Sequence, residues 1–268
     1  MSARSFLSIR KSPTLNLMNF NPLVLIPSYN PGPSGIQTVL AALHAFTPVL
    51  VVTDGSSDGS DAQIASACEI HQGLYLIRST QNEGKGAAVL KGLIWAKAKG
   101  FTHVLTMDSD GQHPVDRIND FIETARQSPE AMILGLPVFD SDAPSVRVKG
   151  RQISNWWANL ETLWTGIGDS LFGFRVYPVN PLIEIMATTR WMKRFDFDPE
   201  AVVRLRWAGT KAINLPAKVR YPKASEGGIS HFHYGRDNLL LTGMHLRLLL
   251  GFLIRFPRLL SQKMSGRL

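Results

Sequence analysis

A single cysteine, Cys68, stands in 268 residues, so no disulfide can close within the chain and a reducing compartment is indicated. Cys68 itself reads as a small apolar residue on a helix face. Long apolar runs are missing between residues 21 and 230, which excludes a membrane span there. The first twenty residues carry Arg4, Arg10 and Lys11 but no apolar stretch of signal-peptide length, and read as a frayed, basic lead-in. No fixed-period repeat and no low-complexity tract is found, so a repeat architecture is excluded. Acid is in short supply: 21 Asp and Glu face 29 Lys and Arg, a formal net charge of +8. With a pI of about 9.8, the chain favours anionic partners such as nucleotides or an acidic membrane face. Nucleic acid is not expected, because much of the excess lies in the tail and no motif interleaves basic with aromatic residues. The length and the 44% hydrophobic content suit one large α/β domain with an appendage.

Four short apolar runs alternate with helical patterns in the first 107 residues. They are Leu23 to Ile26, Val49 to Val52, Leu74 to Ile77 and Val104 to Met107. Helices are predicted from about Ser34 to Phe46, up to His71, and from Ala87 to Lys99. That alternation predicts a mostly parallel sheet with right-handed crossovers. Each run ends in polar residues: Pro27-Ser28-Tyr29-Asn30, then Thr53-Asp54-Gly55-Ser56-Ser57-Asp58, then Asn82-Glu83-Gly84-Lys85-Gly86, then Asp108-Ser109-Asp110-Gly111-Gln112-His113-Pro114. Open α/β sheets bind ligands at that carboxyl edge.

The last group carries the most chemistry. Asp108 and Asp110, one residue apart at a strand end, repel each other unless a cation sits between them and a ligand. Mg²⁺ or Mn²⁺ suits such oxygen donors, with Gln112 and His113 close by. Two plainer readings compete. Asp110 could cap a helix beginning near Pro114, and the pattern resembles the start of a calcium loop, although the closing Glu of such a loop is missing. Upstream, Asp54 is placed to accept hydrogen bonds from a nucleobase or ribose. Lys85 and the free N–H groups of its loop can meet a diphosphate. Asp58 could equally cap its helix and Lys85 could be a solvated charge.

Together these four groups resemble, in order, the signatures of glycosyltransferase family 2, in particular its polyprenyl-phosphate sugar transferases. The resemblance covers about residues 22 to 115 with specific motifs and continues more loosely to about 221. It implies a GT-A fold, a nucleotide-sugar donor (a UDP- or GDP-sugar), a divalent metal, Mg²⁺ or Mn²⁺, and inversion at the sugar carbon. By position, Pro27, Tyr29 and Asn30 would line the nucleoside pocket with Asp54 and Asp58. Lys85 would sit by the donor, and Asp108, Asp110 and Gln112 would surround the metal. Thr53 departs from the pattern, standing where the family commonly has a further Asp.

In the second half, Gly168 to Tyr177 resembles the family's acceptor-side Gly-Phe-Arg strand, with Phe172 where a small hydroxyl residue is usual. Arg175 suits a clamp on an acceptor phosphate, whereas a hydroxyl acceptor would need Asp198 or Asp196 to take its proton. Both acceptor chemistries stay open, and so does a structural role, Asp198 capping the helix from Ala201 and Arg175 pairing with an acid. Asp140 to Lys149 reads as a loop. Trp156, Trp157 and Trp164 are expected in the core, with an acceptor platform as the alternative. His231 and His233 read as a hydrogen-bonded hinge.

From about residue 231 to 268 the texture becomes Leu- and Phe-rich, with Arg247, Gly251, Arg255 and Arg258 on one helical stripe. The uninterrupted apolar run is short and Pro257 is expected to disturb the helix. A helix lying in the headgroup region, its Arg stripe toward anionic lipid, fits this pattern; docking on the domain or a partner is the rival. The expectation is three parts: a lead-in over 1–20, a GT-A domain over 21–230 and an amphipathic helix over 231–268. The enzyme would be peripheral at the cytoplasmic membrane face and would glycosylate a lipid-linked or membrane-associated acceptor. Two rivals carry less: a sugar-1-phosphate nucleotidyltransferase, for which residues 30 to 35 make a poor phosphate loop, and a non-catalytic nucleotide-binding scaffold, against which Lys85, Asp108 and Asp110 argue.

Overall fold

The computed structural model describes residues 20–139, 145–220 and 234–266. The run Leu23 to Ile26 has no exposed surface, as a strand covered on both faces requires. It forms β1 (Pro22–Ser28), followed by α1 (Pro33–Ala45), β2 (Val49–Asp54), α2 (Ser60–Ile70), β3 (Leu74–Ser79), α3 (Lys85–Ala98) and β4 (His103–Thr106). These are the alternating elements that the apolar periodicity predicts. Pro114 does not open an α-helix directly: a 3-10 turn over Val115–Arg117 comes first, then α4 (Ile118–Gln127).

The remaining elements are β5 (Ala131–Val138), α5 (Ser145–Glu161), β6 (Arg175–Pro178), α6 (Val179–Ala187), α7 (Phe197–Trp207), β7 (Lys211–Lys218) and α8 (Tyr234–Met264). The stretch read as a loop up to Lys149 is therefore helical from Ser145, and residues 140–144 lie outside the described part. So do the lead-in up to residue 19 and the His231–His233 hinge.

Among the described residues seven strands form one sheet, in the order β3-β2-β1-β4-β6-β5-β7. All neighbours are parallel except β6, which runs antiparallel to both β4 and β5. Two apolar cores cover the two faces: α1, α2 and α4 pack on one, and α3, α6 and α7 on the other. Helices α5 and α8 extend the second core by packing on each other and on α7. The chain leaves β1 toward β2 on one side and returns to β4 on the other, so the crevice of the sheet lies between the carboxyl ends of β1 and β4. The antiparallel β6 brings its first residue, Arg175, opposite Thr106, the last residue of β4.

Candidate active site

The loops after β1 and β2 are tied to each other by the polar residues of their motifs. Asn30 accepts the Ser57 N–H at 2.7 Å and gives its own backbone N–H to Ser56 Oγ. Asp58 accepts the Gly32 N–H at 2.9 Å and bonds Ser60 through its other oxygen. Asn30 and Asp58 thus fix the shape of a loop pair, from which the Tyr29 ring stands 37% exposed. Pro27 lies within β1 opposite Val52, buried in the sheet, so its side chain does not line a pocket.

Asp54 is only 3% exposed. Its two oxygens accept the N–H groups of Glu83 and Gly84 at 2.9 and 2.7 Å. The carboxylate that the sequence offers to a nucleobase is engaged in holding the loop that opens α3. Gly55, at φ +73°, permits this approach, since a Cβ there would meet the Gln81 backbone at 2.6 Å. Thr53, the departure from the family pattern, donates to Asp61 Oδ2 at 3.0 Å.

Charge concentrates where β4, β6 and α7 begin or end. The Lys85 ammonium lies 2.7 Å from Asp108 Oδ1 and 2.7 Å from Asp198 Oδ2. Burial would lower the Lys85 pKa, but the two carboxylates outweigh it and hold it above the usual lysine value. Burial would raise Asp108, yet the Lys85 ammonium keeps its carboxyl below the usual range. His113 accepts the Asp108 N–H through Nδ1 at 2.9 Å, which leaves the hydrogen on Nε2, 3.7 Å from Asp108 Oδ2. Burial pushes His113 down to about 4, so it stays neutral. Its task is to orient Asp108.

Asp110 is the odd member. Burial, and then the neighbouring Asp108 charge, push its carboxyl up to about 6. Its Oδ1 accepts the Gln112 N–H at 3.0 Å, so the turn after β4 is closed around it. Among the described residues no three His, Cys, Asp or Glu side chains gather into a metal cluster. The oxygen donors present are the Asp108–Asp110 pair with Gln112 beside them, and the burial and Asp108 charge that raise Asp110 are costs that a divalent cation would relieve. Two carboxylates are what Mg²⁺ ordinarily takes from a protein when substrate phosphates and water complete its shell. The residues fit such an ion.

Arg175 corrects the expectation of an acceptor clamp. It has no exposed surface, and its guanidinium donates to the Tyr177 hydroxyl and to the Asp198 and Asp169 carbonyls at 2.8, 2.6 and 3.3 Å. It braces the start of α7 from behind the site. Asp196 is likewise unavailable as a base, since it accepts the N–H groups of Met192 and Arg194 and faces Arg247. Asp198 is 5% exposed, with Oδ1 buried and without a hydrogen-bond partner among the described residues. Gly173 leaves the space that these charges share: a Cβ there would meet Lys85 Nζ at 2.6 Å, Asp108 Oδ2 at 3.4 Å and Asp198 Oδ1 at 3.5 Å.

Thus Lys85, Asp108 and Asp198 form one charge cluster, with Asp110 beside them. Asp54 holds the loop that carries Lys85, Asn30 and Asp58 hold the loops after β1 and β2, and Arg175 donates to the Asp198 carbonyl. Residues 23–185, more than half of the chain, match the family model described as glycosyl transferase family 2. The chain belongs to that family. It is therefore a glycosyltransferase, and its doubly wound sheet is the GT-A fold. Undecaprenyl-phosphate mannosyltransferase of Micrococcus luteus is 24% identical over 209 residues, covering 72% of this chain and 81% of that protein. Polyprenol monophosphomannose synthase of Mycolicibacterium smegmatis is 26% identical over 214 residues, covering 72% and 75%. Glucosyl-3-phosphoglycerate synthase of Mycobacterium tuberculosis, solved with phosphoglyceric acid, superposes with a TM-score of 0.58 at 14% identity, covering 88% of this chain and 80% of that one. That last likeness shows the shared fold.

Sequence reasoning missed Asp169, which is 1% exposed. It gathers Arg151, Asn155 and the N–H groups of Leu171 and Phe172 around one carboxylate, so it shapes the strand entry before β6. Its only sequence signal is a position next to a Gly ahead of an apolar run.

The tail helix also reverses an expectation. Pro257 lies inside α8, which runs unbroken for 31 residues. The stretch Leu239–Met264 is long and apolar enough, by length and composition alone, to cross a bilayer. Arg247 does not face outward; it pairs with Glu200 and Asp196 on the domain. Gly251 lets the helix close on Trp207, over whose ring Arg255 lies at 5.0 Å. The outward face is largely apolar, with Leu239, Leu246, Leu250, Leu253, Ile254 and Met264 each more than half exposed, while Arg255 and Arg258 of the expected stripe are exposed beside them. Trp156 and Trp164, expected in the core, are 52% and 56% exposed.

Proposed function

We propose that this glycosyltransferase moves a sugar from a nucleoside-diphosphate sugar to a polyprenyl phosphate at a membrane surface, inverting the anomeric carbon. The single observation that carries the reading is the Asp108–Asp110 pair at the end of β4, with Lys85 bridging Asp108 and Asp198. Asp108 and Asp110, with Gln112, would hold a Mg²⁺ or Mn²⁺ ion, which supplies Lewis-acid stabilisation of the departing diphosphate. The named neighbour solved with Mn²⁺ and a uridine-diphosphate sugar supports that choice for the fold.

The chain's own residues do the rest. Lys85 adds a fixed positive charge beside the diphosphate, in a site dry enough for that charge to count. Asn30, Asp54 and Asp58 keep the nucleoside loops in place, and Tyr29 offers an exposed ring to the base. In a single displacement, the acceptor oxygen forms its bond to the anomeric carbon as the bond from that carbon to the diphosphate oxygen breaks, on the opposite face.

A phosphate acceptor fits better than a hydroxyl. A hydroxyl needs a carboxylate to take its proton, and of the two Asp198 oxygens Oδ2 is held by Lys85 while Oδ1 is buried away from solvent. A phosphate is ionised at neutral pH and needs no base. The relatives named for undecaprenyl phosphate and polyprenol point the same way.

The apolar outer face of α8 would lie in the interfacial region, joined by Ile153 and Trp156 on the neighbouring α5. Because α8 docks along the domain through Met244, Leu248, Phe252 and Arg247, it lies in the plane of the surface, at the cytoplasmic face where nucleotide sugars are available. The test is direct. The chain is incubated with UDP- and GDP-sugars, Mn²⁺ or Mg²⁺ and a short polyprenyl phosphate in vesicles, and the glycolipid is isolated and its anomeric configuration read by NMR. An inverted sugar phosphodiester supports the reading; transfer to a hydroxyl acceptor alone, or a retained configuration, would overturn it. Vesicle sedimentation with Leu250→Glu and Ile254→Glu combined tests the surface, and unchanged pelleting would remove α8 from lipid contact.

A further inference from the structure

Three acids stand at alternate positions around the start of α7: Asp196, Asp198 and Glu200, exposed by 3%, 5% and 0%. A helix N-terminus favours negative charge, but three desolvated carboxylates this close require cations. Asp198 has Lys85. Glu200 takes Arg204 from its own helix at 2.6 Å. The remaining cation arrives from α8: Arg247 lies 2.8 Å from Glu200 Oε2 and 3.4 Å from Asp196 Oδ2, its guanidinium 4.2 Å from the centre of the Trp191 ring.

Two routes lead from Arg247 to the reacting groups. Glu200 is half a turn beyond Asp198 on the same helix. Asp196 holds the turn before α7 by accepting the N–H groups of Met192 and Arg194. That turn in turn holds α3: the Lys193 carbonyl accepts the Ala87 N–H at 3.0 Å, and Arg194 donates to Asn82 at 3.2 Å. Gly84 and Gly86 have no room for a Cβ against the Lys193 and Met192 carbonyls, so the turn and the Lys85 loop are in close contact. Arg247 is thereby connected to both members of the Lys85–Asp198 pair, one through each acid.

We propose that Arg247 is a positioning residue. By neutralising Asp196 and Glu200 together from α8, it sets the geometry of Lys85 against Asp198, and the site is complete only with α8 seated on α7. Arg247 touches no substrate in this role. Since α8 also presents the apolar outer face, the helix held by the lipid surface is the one that finishes the site. The assay rests on the transfer reading above.

The experiment compares wild type, Arg247→Met and Arg247→Lys in the polyprenyl-phosphate transfer assay, well below each melting temperature. Arg247→Met is expected to lower kcat by about 10²-fold, the loss typical of a reacting group displaced by roughly an ångström, with the donor KM unchanged. Arg247→Lys is expected to restore part of that loss. Wild-type kcat in folded Arg247→Met, or a rise in KM with kcat intact, would overturn the proposal. If Arg247→Met does not fold, Glu200→Gln replaces it: a kcat-selective loss supports the role and wild-type turnover removes it. If the wild-type chain transfers no sugar at all, the functional reading has failed and Arg247 is judged by amide hydrogen exchange. Faster exchange at residues 85 to 88 in the Met variant then supports the role, and unchanged protection rejects it.

Discussion

The two halves of the site use charge in opposite ways. On the β1 to β4 side the polar residues sit at strand ends in sequence order, and Asp108 and Asp110 remain partly open to solvent. On the β6 to α8 side the charged residues are withdrawn: Arg175, Asp169 and Glu200 have at most 1% exposure and bind other parts of the chain. The difference teaches that a motif-bearing charge is a reagent only where the fold leaves it a free face; elsewhere the same residue type is a joint.

The strongest test of this contrast is Arg175→Met. Leaving Tyr177 and the Asp198 and Asp169 carbonyls without their donor inside the protein is expected to cost roughly 3–5 kcal/mol. The loss should show as a large fall in melting temperature, and a stable variant that has merely lost affinity for acceptor would reverse the contrast. Asp110→Asn should do the opposite. Transfer is expected to fall by about 10²–10³, while the metal-free protein becomes more stable, on the order of 1–3 kcal/mol at pH 7, because a desolvated charge beside Asp108 is gone. Calorimetry without divalent ions, paired with the transfer assay, reads both.

Protonation gives a graded version of the same comparison. With Asp110 at about 6, divalent-ion affinity is expected to drop as pH falls below 6, about tenfold per pH unit where one proton competes. For folding, the sign differs between neighbours. The raised Asp110 binds its proton more tightly in the folded state, so it lowers stability as pH rises from 3.8 to about 6. His113, pushed down to about 4, binds its proton less tightly there and lowers stability as pH falls from 6.5 toward 4. In metal-free protein Asp110→Asn should therefore steepen the acid-side loss between pH 6 and 4, as read by denaturant titration. The smallest effect belongs to Thr53→Val, which removes the bond to Asp61 and should cost about 1 kcal/mol. An unchanged donor KM would mark Thr53 as a joint too.

The donor half was legible because its signals are local. An apolar run, a polar end and a helical period recur within thirty residues, and the motifs fall where the sheet edge must be. The acceptor half depends on partners far along the chain. Nothing near Arg175 says that the Asp198 carbonyl will meet it, and the period that places Arg247, Gly251 and Arg255 on one stripe does not say which stripe faces Glu200, 47 residues earlier. The antiparallel insertion of β6 is equally non-local. Pro257 was read as a breaker, yet Leu253, whose carbonyl it leaves unpaired, is 58% exposed, so water can satisfy that group and the helix continues. Exposure of Trp156 and Trp164 follows from an outer face that an amphipathic pattern does not distinguish from a core.

The reversed direction of β6 has one more effect. The parallel strands reach the ligand crevice at their carboxyl ends, but β6 delivers Gly173 beside Lys85, Asp108 and Asp198 before it starts. Segments inserted after β4 and segments inserted ahead of β6 would reach the same opening from two independent hinges. A lineage could lengthen or replace one without redrawing the other, and so exchange what receives the sugar while keeping what supplies it.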